Sequence, residues 1–313
     1  MYTIGIDLGG TNIAVGLVDK DYNLVVKKSR PTNAYRTPEE IAADMSALCI
    51  EVCEAGGASI SDIEKIGVAS PGVVDPKAGI VVHVDTLPFS HFPLADHIRR
   101  GTGVQNIALE NDANCAALGE AVAGAGKGKS TGIMITLGTG VGGGIIIDGK
   151  VYAGFNHAGA ELGHIVIEKG GVRCSCGRLG CWEAYSSATA LIRMTNEKIE
   201  ECRRTGRDTL MFKAERVSGR TACDAMRQGD APAREVYEKY ISYLATGITN
   251  ILNIFQPEVL YLGGGVSNEG QSLIDDLSPL VYKEVYGGSK IQLPELKIAQ
   301  LGNDAGIIGA AAL

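Results

Sequence analysis

Three cysteines and one histidine are crowded into residues 163–185. Nine residues separate His164 from Cys174, one separates Cys174 from Cys176, and four separate Cys176 from Cys181. Three thiols and one imidazole complete the donor set of a closed tetrahedral zinc site, which leaves no position for a reacting water. An iron–sulfur cluster more often uses four thiolates, and a disulfide is disfavoured where thiols stay reduced. We therefore predict a structural zinc site formed by these four residues.

Two acidic residues flank this segment. Glu161 lies three residues before His164, and Glu183 lies two residues after Cys181. Neither carboxylate belongs to the predicted donor set, but both are tethered to it, so a bound metal would fix their positions. The alternative is that both are ordinary solvated charges in a loop.

A further carboxylate, Asp112, lies in the stretch ENDAN, where a short strand gives way to a helix. One role for Asp112 is to cap the helix N-terminus. The other is to act as a general base that takes a proton from an attacking hydroxyl during phosphoryl transfer, and the helix N-terminus would keep it ionised for that purpose. Asn111 offers both a donor and an acceptor, which suits a sugar hydroxyl. The sequence leaves both roles of Asp112 open.

Two glycine-rich turns each separate a pair of strand-like apolar runs, at residues 9–12 and 138–140. Successive backbone N–H groups in such a hairpin form a nest that binds phosphate. We favour this role over two turns without a ligand because Thr11 and Thr139 occupy matching places. The glycines 138, 140 and 143 also fit G-x-G-x-x-G, but that dinucleotide motif must open a helix, and here the sequence continues as a strand.

Asp7 and a third glycine turn are further candidates for binding a nucleotide beside these two hairpins. Asp7 closes the first strand, where its carboxylate either holds Mg²⁺ between nucleotide phosphates or caps the N–H groups of the turn. The turn at residues 263–265 follows the apolar run VLYL, and its lack of side chains suits the close approach of a flat ligand such as an adenine or ribose.

Strands that alternate with helices are needed to position these residues, and the sequence predicts them. Thr37, Pro38 and Glu40 form a capping box at the start of a helix. The second glycine hairpin ends in an Asp-Gly turn at residues 148–149, and a long helix follows over residues 233–255, before strands VLYLGGG and LKIAQL and a closing helix. The repeated hairpin predicts an α/β protein with two similar halves that face each other across a cleft.

The bulk properties exclude several classes of protein. A chain of 313 residues is long enough for two domains. Its net charge of −7 gives no support for a nucleic-acid-binding protein. The N-terminus does not resemble a signal peptide, and no run approaches the roughly 18 apolar residues of a membrane helix. We therefore expect a cytoplasmic protein without a membrane span, in which thiols stay reduced.

The chain resembles the ROK family of sugar kinases and repressors, which have the actin-like and hexokinase-like ATPase fold. The resemblance covers nearly the whole chain, because GIDLGGTN, ASPGVVD, ENDANCAALGE, LGTGVGGGIIIDG, HAGAELGHI, CSCGRLGCWE, YLGGGVS and LGNDAGIIGAA follow one another in the family's order. It implies a two-lobed α/β fold in which each lobe starts with a glycine-rich β-hairpin. We expect a small lobe of residues 1–112 plus 302–313 and a large lobe of residues 113–301.

This resemblance implies an enzyme that uses ATP and Mg²⁺ to phosphorylate a hexose, with glucose to glucose 6-phosphate as the first expectation. Another sugar kinase of the family, acting on fructose, N-acetylmannosamine, N-acetylglucosamine or allose, is the alternative, because epimers differ by single hydroxyls. A non-catalytic sugar sensor is a further alternative, but it has no need of a base, so the intact ENDAN favours the enzyme. A homodimer or homotetramer is also implied.

The resemblance also assigns roles to individual residues. The expected ATP-binding residues are Asp7, Gly9, Gly10, Thr11, Asn12, Gly138, Thr139, Gly140, Gly263 and Gly264. The expected sugar-binding residues are Gly72, Asn111, Asp112, Glu161, His164 and Glu183. Asp112 is the expected catalytic base. The expected structural zinc ligands are His164, Cys174, Cys176 and Cys181, and His164 would turn its second ring nitrogen toward the sugar.

The chain departs from the family pattern at two positions. Many members have a basic residue where this chain has Asn12, which removes a cationic phosphate contact. Many have an asparagine where Thr86 stands in DTLPF, so one sugar contact is expected to be missing or altered. The family's repressors carry an N-terminal helix-turn-helix module, whereas this sequence starts on the first phosphate strand at Ile4, and we expect no such module.

Overall fold

Three β-sheets lie within residues 2–313, the part of the chain that the computed structural model describes. The strands are β1 Tyr2–Leu8, β2 Asn12–Asp19, β3 Leu24–Pro31, β4 Ile63–Ser70, β5 Val73–Asp75, β6 Ile80–His83, β7 Ser90–Phe92, β8 Ile107–Asn111, β9 Gly132–Leu137, β10 Val141–Ile147, β11 Lys150–Val151, β12 Val259–Gly263 and β13 Glu295–Ile298. The sheet orders are β3-β2-β1-β4-β8, β11-β10-β9-β12-β13 and β5-β6-β7.

Helices alternate with these strands, so the predicted α/β class is confirmed. The α-helices described are α1 Pro38–Ala55, α2 Leu94–Thr102, α3 Asp112–Ala123, α4 Glu183–Ser186, α5 Ala188–Thr205, α6 Thr221–Arg227, α7 Ala231–Phe255, α8 Gln271–Glu284 and α9 Ala305–Ala312. The long helix predicted from residue 233 begins at Ala231, because Asp230 caps it by accepting the N–H of Ala233 at 2.7 Å and Pro232 occupies its first turn.

The start of α1 follows the capping prediction. The Thr37 hydroxyl accepts the N–H of Glu40 at 3.3 Å, and the Glu40 carboxylate accepts the N–H of Thr37 at 2.9 Å. Pro38 occupies the first helical position and Gly56 caps the C-terminus. Ile41, Met45, Leu48 and Val52 are buried along one face of this helix, and that face packs into the core beside the first sheet.

The first sheet brings several predicted site residues to one edge. Strand β1 runs antiparallel to β2 but parallel to β4, and β4 runs parallel to β8. Asp7 pairs with Ala69, and Ser70 pairs with Asn111. Because the carboxyl ends of parallel strands meet at the same edge of a sheet, Asp7 and Asn111 share the edge where ligands bind in open α/β sheets.

Helix α9 packs very closely against the first sheet and against α3. A methyl group at Gly309 would overlap the carbonyl oxygen of Cys115 in α3, and one at Gly67 in β4 would overlap the carbonyl oxygen of Ala310. These backbones approach each other only because no side chain lies between them. The sequence predicted a closing helix, and this close packing explains why α9 consists of glycine, alanine and isoleucine alone.

In the second sheet, the β10–β11 turn has the predicted Asp-Gly geometry. Asp148 and Gly149 have φ values of 50° and 71°, which is the left-handed conformation that a tight hairpin turn requires at both central positions. Ile146 pairs with Val151 across this turn. The glycine motif at residues 138–143 therefore leads into a strand, as predicted, and not into a helix.

The chain forms two compact units. The first contains Met1–Met134, Gly143–Ala160 and Ala299–Leu313, and the second contains Ile135–Gly142 and Glu161–Ile298. The lobe boundaries expected from the sequence, after residues 112 and 301, stay a prediction. Among the helices of residues 2–313, none combines the length and the apolar composition needed to cross a bilayer.

Candidate active site

The first glycine hairpin connects β1 to β2 in the first unit. The N–H of Gly9 donates to the carbonyl oxygen of Asn12 at 2.9 Å and closes the turn. Thr32, which directly follows β3, donates its backbone N–H to the Thr11 carbonyl at 2.8 Å and its hydroxyl to the Gly9 carbonyl at 2.7 Å. The side chain of Thr32 is fully buried. One residue thus holds two carbonyl groups of the predicted phosphate hairpin.

Charged residues hold Thr32 in turn. Arg36 donates to the carbonyl oxygen of Thr32 at 2.9 Å and to the carboxylate of Asp44 on α1 at 2.7 Å. Asp44 also accepts from Arg30 on β3 at 2.6 Å, and Arg30 donates to Glu51 at 2.7 Å. The segment that carries Thr32 is therefore fastened to both β3 and α1.

Asp7 is a partly buried carboxylate with an unusual pKa. Its carboxyl carbon lies 2.9 Å from where a methyl group at Gly306 would stand, so α9 covers one side of it. Burial and, to a smaller extent, the negative charge of Asp112 raise the pKa of Asp7 to about 6, while Lys27 acts in the opposite direction. Asp7 and Asp112 therefore form an electrostatically coupled pair, which a divalent cation would relieve.

The start of α3 brings Gly72, Asn111 and Asp112 together. Asn111 is the N-cap, since its side chain accepts the N–H groups of Ala113 at 2.9 Å and Asn114 at 3.3 Å. Its amide nitrogen donates to the carbonyl of Gly72 at 3.1 Å. Asp112 is the first helical residue, and its Oδ1 accepts the N–H of Ala113 at 2.8 Å. The capping role that the sequence allowed for Asp112 is thus filled by Asn111.

The second glycine hairpin lies in the second unit and is held by the beginning of α5. The N–H of Gly138 donates to the carbonyl of Gly140 at 3.0 Å. The Gly138 carbonyl accepts the N–H of Ala188 at 2.8 Å, and the Thr139 carbonyl accepts the hydroxyl of Thr189 at 2.8 Å. Both supporting residues come from the first turn of this helix.

The third glycine turn adjoins the second hairpin. Gly264 has φ of 85°, and a methyl group there would lie 2.6 Å from the carbonyl oxygen of Leu137, the residue before Gly138. Ser267 donates its hydroxyl to the Gly264 carbonyl at 2.7 Å. Two of the three predicted nucleotide-binding turns, at residues 138–140 and 263–264, are therefore neighbours within one unit.

The four predicted metal ligands converge. The ligand atoms of His164, Cys174, Cys176 and Cys181 all lie within 4.8 Å of one another. The sulfur atoms of Cys176 and Cys181 are 3.7 Å apart, and the sulfur of Cys174 is 3.6 Å from Nδ1 of His164. Tetrahedral zinc would separate two sulfur ligands by about 3.8 Å and a sulfur from a nitrogen by about 3.6 Å. The donor set and its spacing fit a metal ion.

The protonation of the thiols differs across this cluster. Burial and, after it, hydrogen bonds with the neighbouring thiols raise the pKa of Cys181 to about 12. The backbone N–H of Arg178 lowers the pKa of the exposed Cys176. A metal ion binds thiolates, so its binding would displace the protons that the buried thiol otherwise retains.

Glu183 connects this cluster to the second hairpin. Its Oε1 accepts the hydroxyl of Ser175 at 2.8 Å, and its Oε2 accepts the N–H of Val141 at 3.0 Å. Gly163 lies directly against Val141, because a methyl group at Gly163 would overlap the Val141 carbonyl. Val141, the residue that follows the second hairpin, is thus contacted by Gly163 and Glu183, which lie near the two ends of the cysteine-rich segment. A contact between Glu183 and a sugar stays a prediction.

Glu161 and His164 bracket one short turn. The N–H of His164 donates to the carbonyl of Glu161 at 3.1 Å, and Arg178 donates to the carbonyl of His164 at 3.0 Å. Glu161 is exposed, whereas His164 is partly buried at the cluster. The preceding residue, Ala160, has φ of 65°, a left-handed conformation that costs a non-glycine residue about 1 kcal/mol. The residue directly before Glu161 is therefore strained, and such backbone strain is common at functional sites.

Trp182 anchors the cysteine-rich segment to α7. Its indole N–H donates to the carbonyl of Tyr243 at 3.1 Å, and its backbone N–H donates to Ile165 at 2.8 Å. The ring covers Gly247, where any side chain would overlap it. This contact explains a glycine in the middle of a long helix, a position where it otherwise costs about 1 kcal/mol.

Several supporting residues have no counterpart in the sequence predictions. They are Thr32, Glu110, Ser175 and Thr189. Glu110 is buried and accepts the N–H of Asn111 at 2.9 Å and the side chain of Asn114 at 3.0 Å. The only hint in the sequence was its place inside ENDAN. The others are common polar residues in short segments, and only their partners distinguish them.

An α/β chain built on two such hairpins has the actin-like, hexokinase-like fold, and the comparison with solved structures supports it. A ROK family glucokinase from Streptomyces griseus, solved with glucose and AMPPNP, is 34% identical, with a TM-score of 0.77 over 100% of this chain and 98% of that chain. A ROK hexokinase from Thermus thermophilus is 31% identical, with a TM-score of 0.83 over 99% and 97%.

Sequence comparison gives the family. The profile of the ROK family matches residues 3–313. A glucokinase from Thermotoga maritima is 36% identical over 311 residues, which span 99% of this chain and 96% of that protein. The chain therefore belongs to the ROK family, as the motifs of the sequence predicted.

Proposed function

We propose that this chain is an ATP-dependent glucokinase, which transfers the γ-phosphoryl group of ATP to the 6-hydroxyl of glucose. The observation that carries this proposal is its full-length similarity to glucokinases, one of them solved with glucose and an ATP analogue. Phosphoryl transfer depends mainly on positioning and on charge stabilisation, so each of the groups described above can be given a part in it.

The two glycine hairpins hold the nucleotide in this proposal. The N–H groups of residues 9–12 and 138–140 bind phosphate oxygens, and the turn at residues 263–264 lies against the adenosine. The fit of Gly264 against the strand that leads into the second hairpin supports a continuous nucleotide surface within that unit. Asn12 supplies no positive charge, so backbone donors carry more of the phosphate contact here than a lysine-containing turn would need.

Asp112 is the base. As the 6-hydroxyl oxygen of glucose attacks the γ-phosphorus, its proton passes to the Asp112 carboxylate, and the bond between the γ-phosphorus and the bridging oxygen breaks to release ADP. Asp112 lies in the first turn of α3, where the positive end of the helix dipole suits a carboxylate. The raised pKa of Asp7 and its coupling to Asp112 support a place for Mg²⁺ near Asp7, where the ion would neutralise phosphate charge.

The sugar set consists of Gly72, Asn111, Asp112, Glu161, His164 and Glu183. The geometry of the cysteine cluster supports a structural zinc ion, which would bind Nδ1 of His164 and leave Nε2 free for a sugar hydroxyl. Such an ion takes no part in the chemistry, since four protein ligands leave no open position. The lobe boundaries, a homodimer or homotetramer, and a cytoplasmic location stay predictions.

An assay of ADP formation across a panel of hexoses tests this function. With glucose, fructose, N-acetylmannosamine, N-acetylglucosamine and allose offered separately, we expect the highest kcat/KM for glucose and a 6-phosphate product by ³¹P NMR. A higher kcat/KM for another sugar would make the chain a different sugar kinase of the family. Sugar binding without any ADP formation would indicate the sensor instead.

A further inference from the structure

We propose that Thr32 is a positioning residue, which aims backbone N–H groups of the first glycine hairpin at the phosphates of the bound nucleotide. The inference rests on the proposed phosphate-binding role of that hairpin. It concerns a residue that lies outside the hairpin and outside every motif recognised in the sequence.

The contacts of Thr32 are concentrated on the hairpin. Its backbone N–H and its hydroxyl donate to the carbonyl oxygens of Thr11 and Gly9, at 2.8 and 2.7 Å. Its side chain is completely buried, so water cannot replace the hydroxyl. Removing this buried hydroxyl leaves the Gly9 carbonyl without that donor at a place that water cannot fill, and the turn would have to change shape to avoid the penalty. The hydroxyl therefore fixes the orientation of the peptide group that follows Gly9.

Because the peptide bond is planar, a contact that fixes a carbonyl group also fixes the direction of the N–H group in the same peptide unit. No peptide bond within residues 2–313 is cis, and in a trans peptide the carbonyl and the next N–H point in opposite directions. When the carbonyls of Gly9 and Thr11 face Thr32, the N–H groups of Gly10 and Asn12 face away from it. Thr32 thus turns two donors toward the opposite side of the hairpin.

The composition of the hairpin makes this orientation important. Residues 9–12 are Gly-Gly-Thr-Asn, and none carries a positive charge. A phosphate held there depends on hydrogen-bond donors, and backbone N–H groups serve only if they converge on the anion. Arg36 extends the support outward, because it joins the Thr32 carbonyl to Asp44 on α1.

The decisive comparison is between Thr32→Val, which keeps the shape but removes the hydroxyl, and Thr32→Ser, which keeps the hydroxyl. Calorimetric titration with Mg·AMPPNP is expected to show affinity about tenfold weaker for Thr32→Val. Thr32→Ser should recover most of that affinity, and the affinity for glucose should change little in either variant. Thr102→Val serves as the control, since it removes another buried hydroxyl, bonded to Ile98 at 2.8 Å, away from the hairpin.

Unchanged Mg·AMPPNP affinity in Thr32→Val would overturn the proposal, and so would an equal loss in Thr32→Ser or a matching loss of glucose affinity. If Thr32→Val does not fold, Arg36→Gln replaces it, with a several-fold loss of nucleotide affinity expected and no loss contradicting the proposal. If the unaltered protein binds Mg·AMPPNP but phosphorylates no hexose, the proposed function fails while the comparison at Thr32 still stands.

Discussion

The two glycine hairpins have similar sequences but are supported in different ways. In the first, a single buried residue, Thr32, holds the carbonyls of Gly9 and Thr11. In the second, the carbonyls of Gly138 and Thr139 are held by the first turn of α5, which includes the exposed Thr189. A glycine motif therefore specifies the turn but not its support, which comes from whichever element packs beside it.

The second hairpin also has a connection to the cysteine cluster. Glu183 joins Val141, next to that hairpin, to Ser175, and Gly163 packs on the same valine. The first hairpin is supported instead by the ion pairs of Arg36 and Arg30. Loss of a metal ion should therefore disturb the second hairpin, whereas the first should respond to changes in Thr32 and its charged neighbours.

Asp112→Asn is expected to have the largest effect on turnover, because it removes the base while leaving both hairpins in place. We expect kcat to fall by about 10³-fold. The affinities for glucose and Mg·AMPPNP, measured by calorimetry, should stay close to those of the unaltered protein. Near-normal kcat in this variant would remove Asp112 from the role of base.

Cys176→Ser tests the dependence of the second hairpin on the metal. The variant should lose bound zinc, measured by elemental analysis, and its melting temperature should fall because metal binding contributes to folding. Nucleotide affinity should also weaken, because Glu183 and Gly163 of the cysteine-rich segment contact Val141 beside the second hairpin. Cys202→Ala, at a buried cysteine of the same unit outside the cluster, is the control and should keep its zinc. A folded, metal-free Cys176→Ser protein of unchanged stability would refute the zinc assignment.

Asp7→Asn tests the electrostatics beside the first hairpin through pH. The pKa of Asp7 is about 6, above its ordinary 3.8, so the folded state holds a proton that the unfolded state has lost between these values. Protonation of Asp7 therefore contributes to the free energy of unfolding, and this contribution is complete below pH 3.8 and is lost as the pH rises through 6. At pH 7.5 Asp7→Asn should thus raise the free energy of unfolding by about 3 kcal/mol while lowering activity.

Urea unfolding at pH 5.0 and 7.5 measures this effect, and the gain from Asp7→Asn should shrink at the lower pH. Asp19→Asn provides the control, because hydrogen bonds from Asn23 lower the pKa of that exposed carboxyl, and its loss should not stabilise the protein. An Asp7→Asn protein less stable than the unaltered one at pH 7.5 would contradict the buried-charge account.

Thr189→Val should have the smallest effect and sharpens the contrast with Thr32. Its hydroxyl bonds to the Thr139 carbonyl at 2.8 Å, but Thr189 is exposed, so water can take the place of the hydroxyl. We expect Mg·AMPPNP affinity to weaken by only about threefold, with Thr189→Ser unchanged. A loss as large as that of Thr32→Val would show that burial is not what distinguishes the two supports.

The elements that the sequence predicted well are those with local causes. The capping box of α1 needs only Thr37 and Glu40, and the β10–β11 turn needs only Asp148 and Gly149. The cysteine cluster was also predictable, because residue type and short spacing are enough to propose a ligand set. Thr32 was not, since its partners are defined only once β3 pairs with β2 and places Pro31 opposite Asn12. Long-range pairing of ordinary residues leaves no local pattern.

The anchoring of Trp182 on α7 has a spectroscopic consequence. It is the only tryptophan in the sequence, and it stands between Cys181 and Glu183 with its indole buried over Gly247. Tryptophan emission from this protein therefore originates at the base of the cysteine-rich segment. A red shift would report solvent reaching that point, so fluorescence can follow the local state of the segment separately from the unfolding of the first unit.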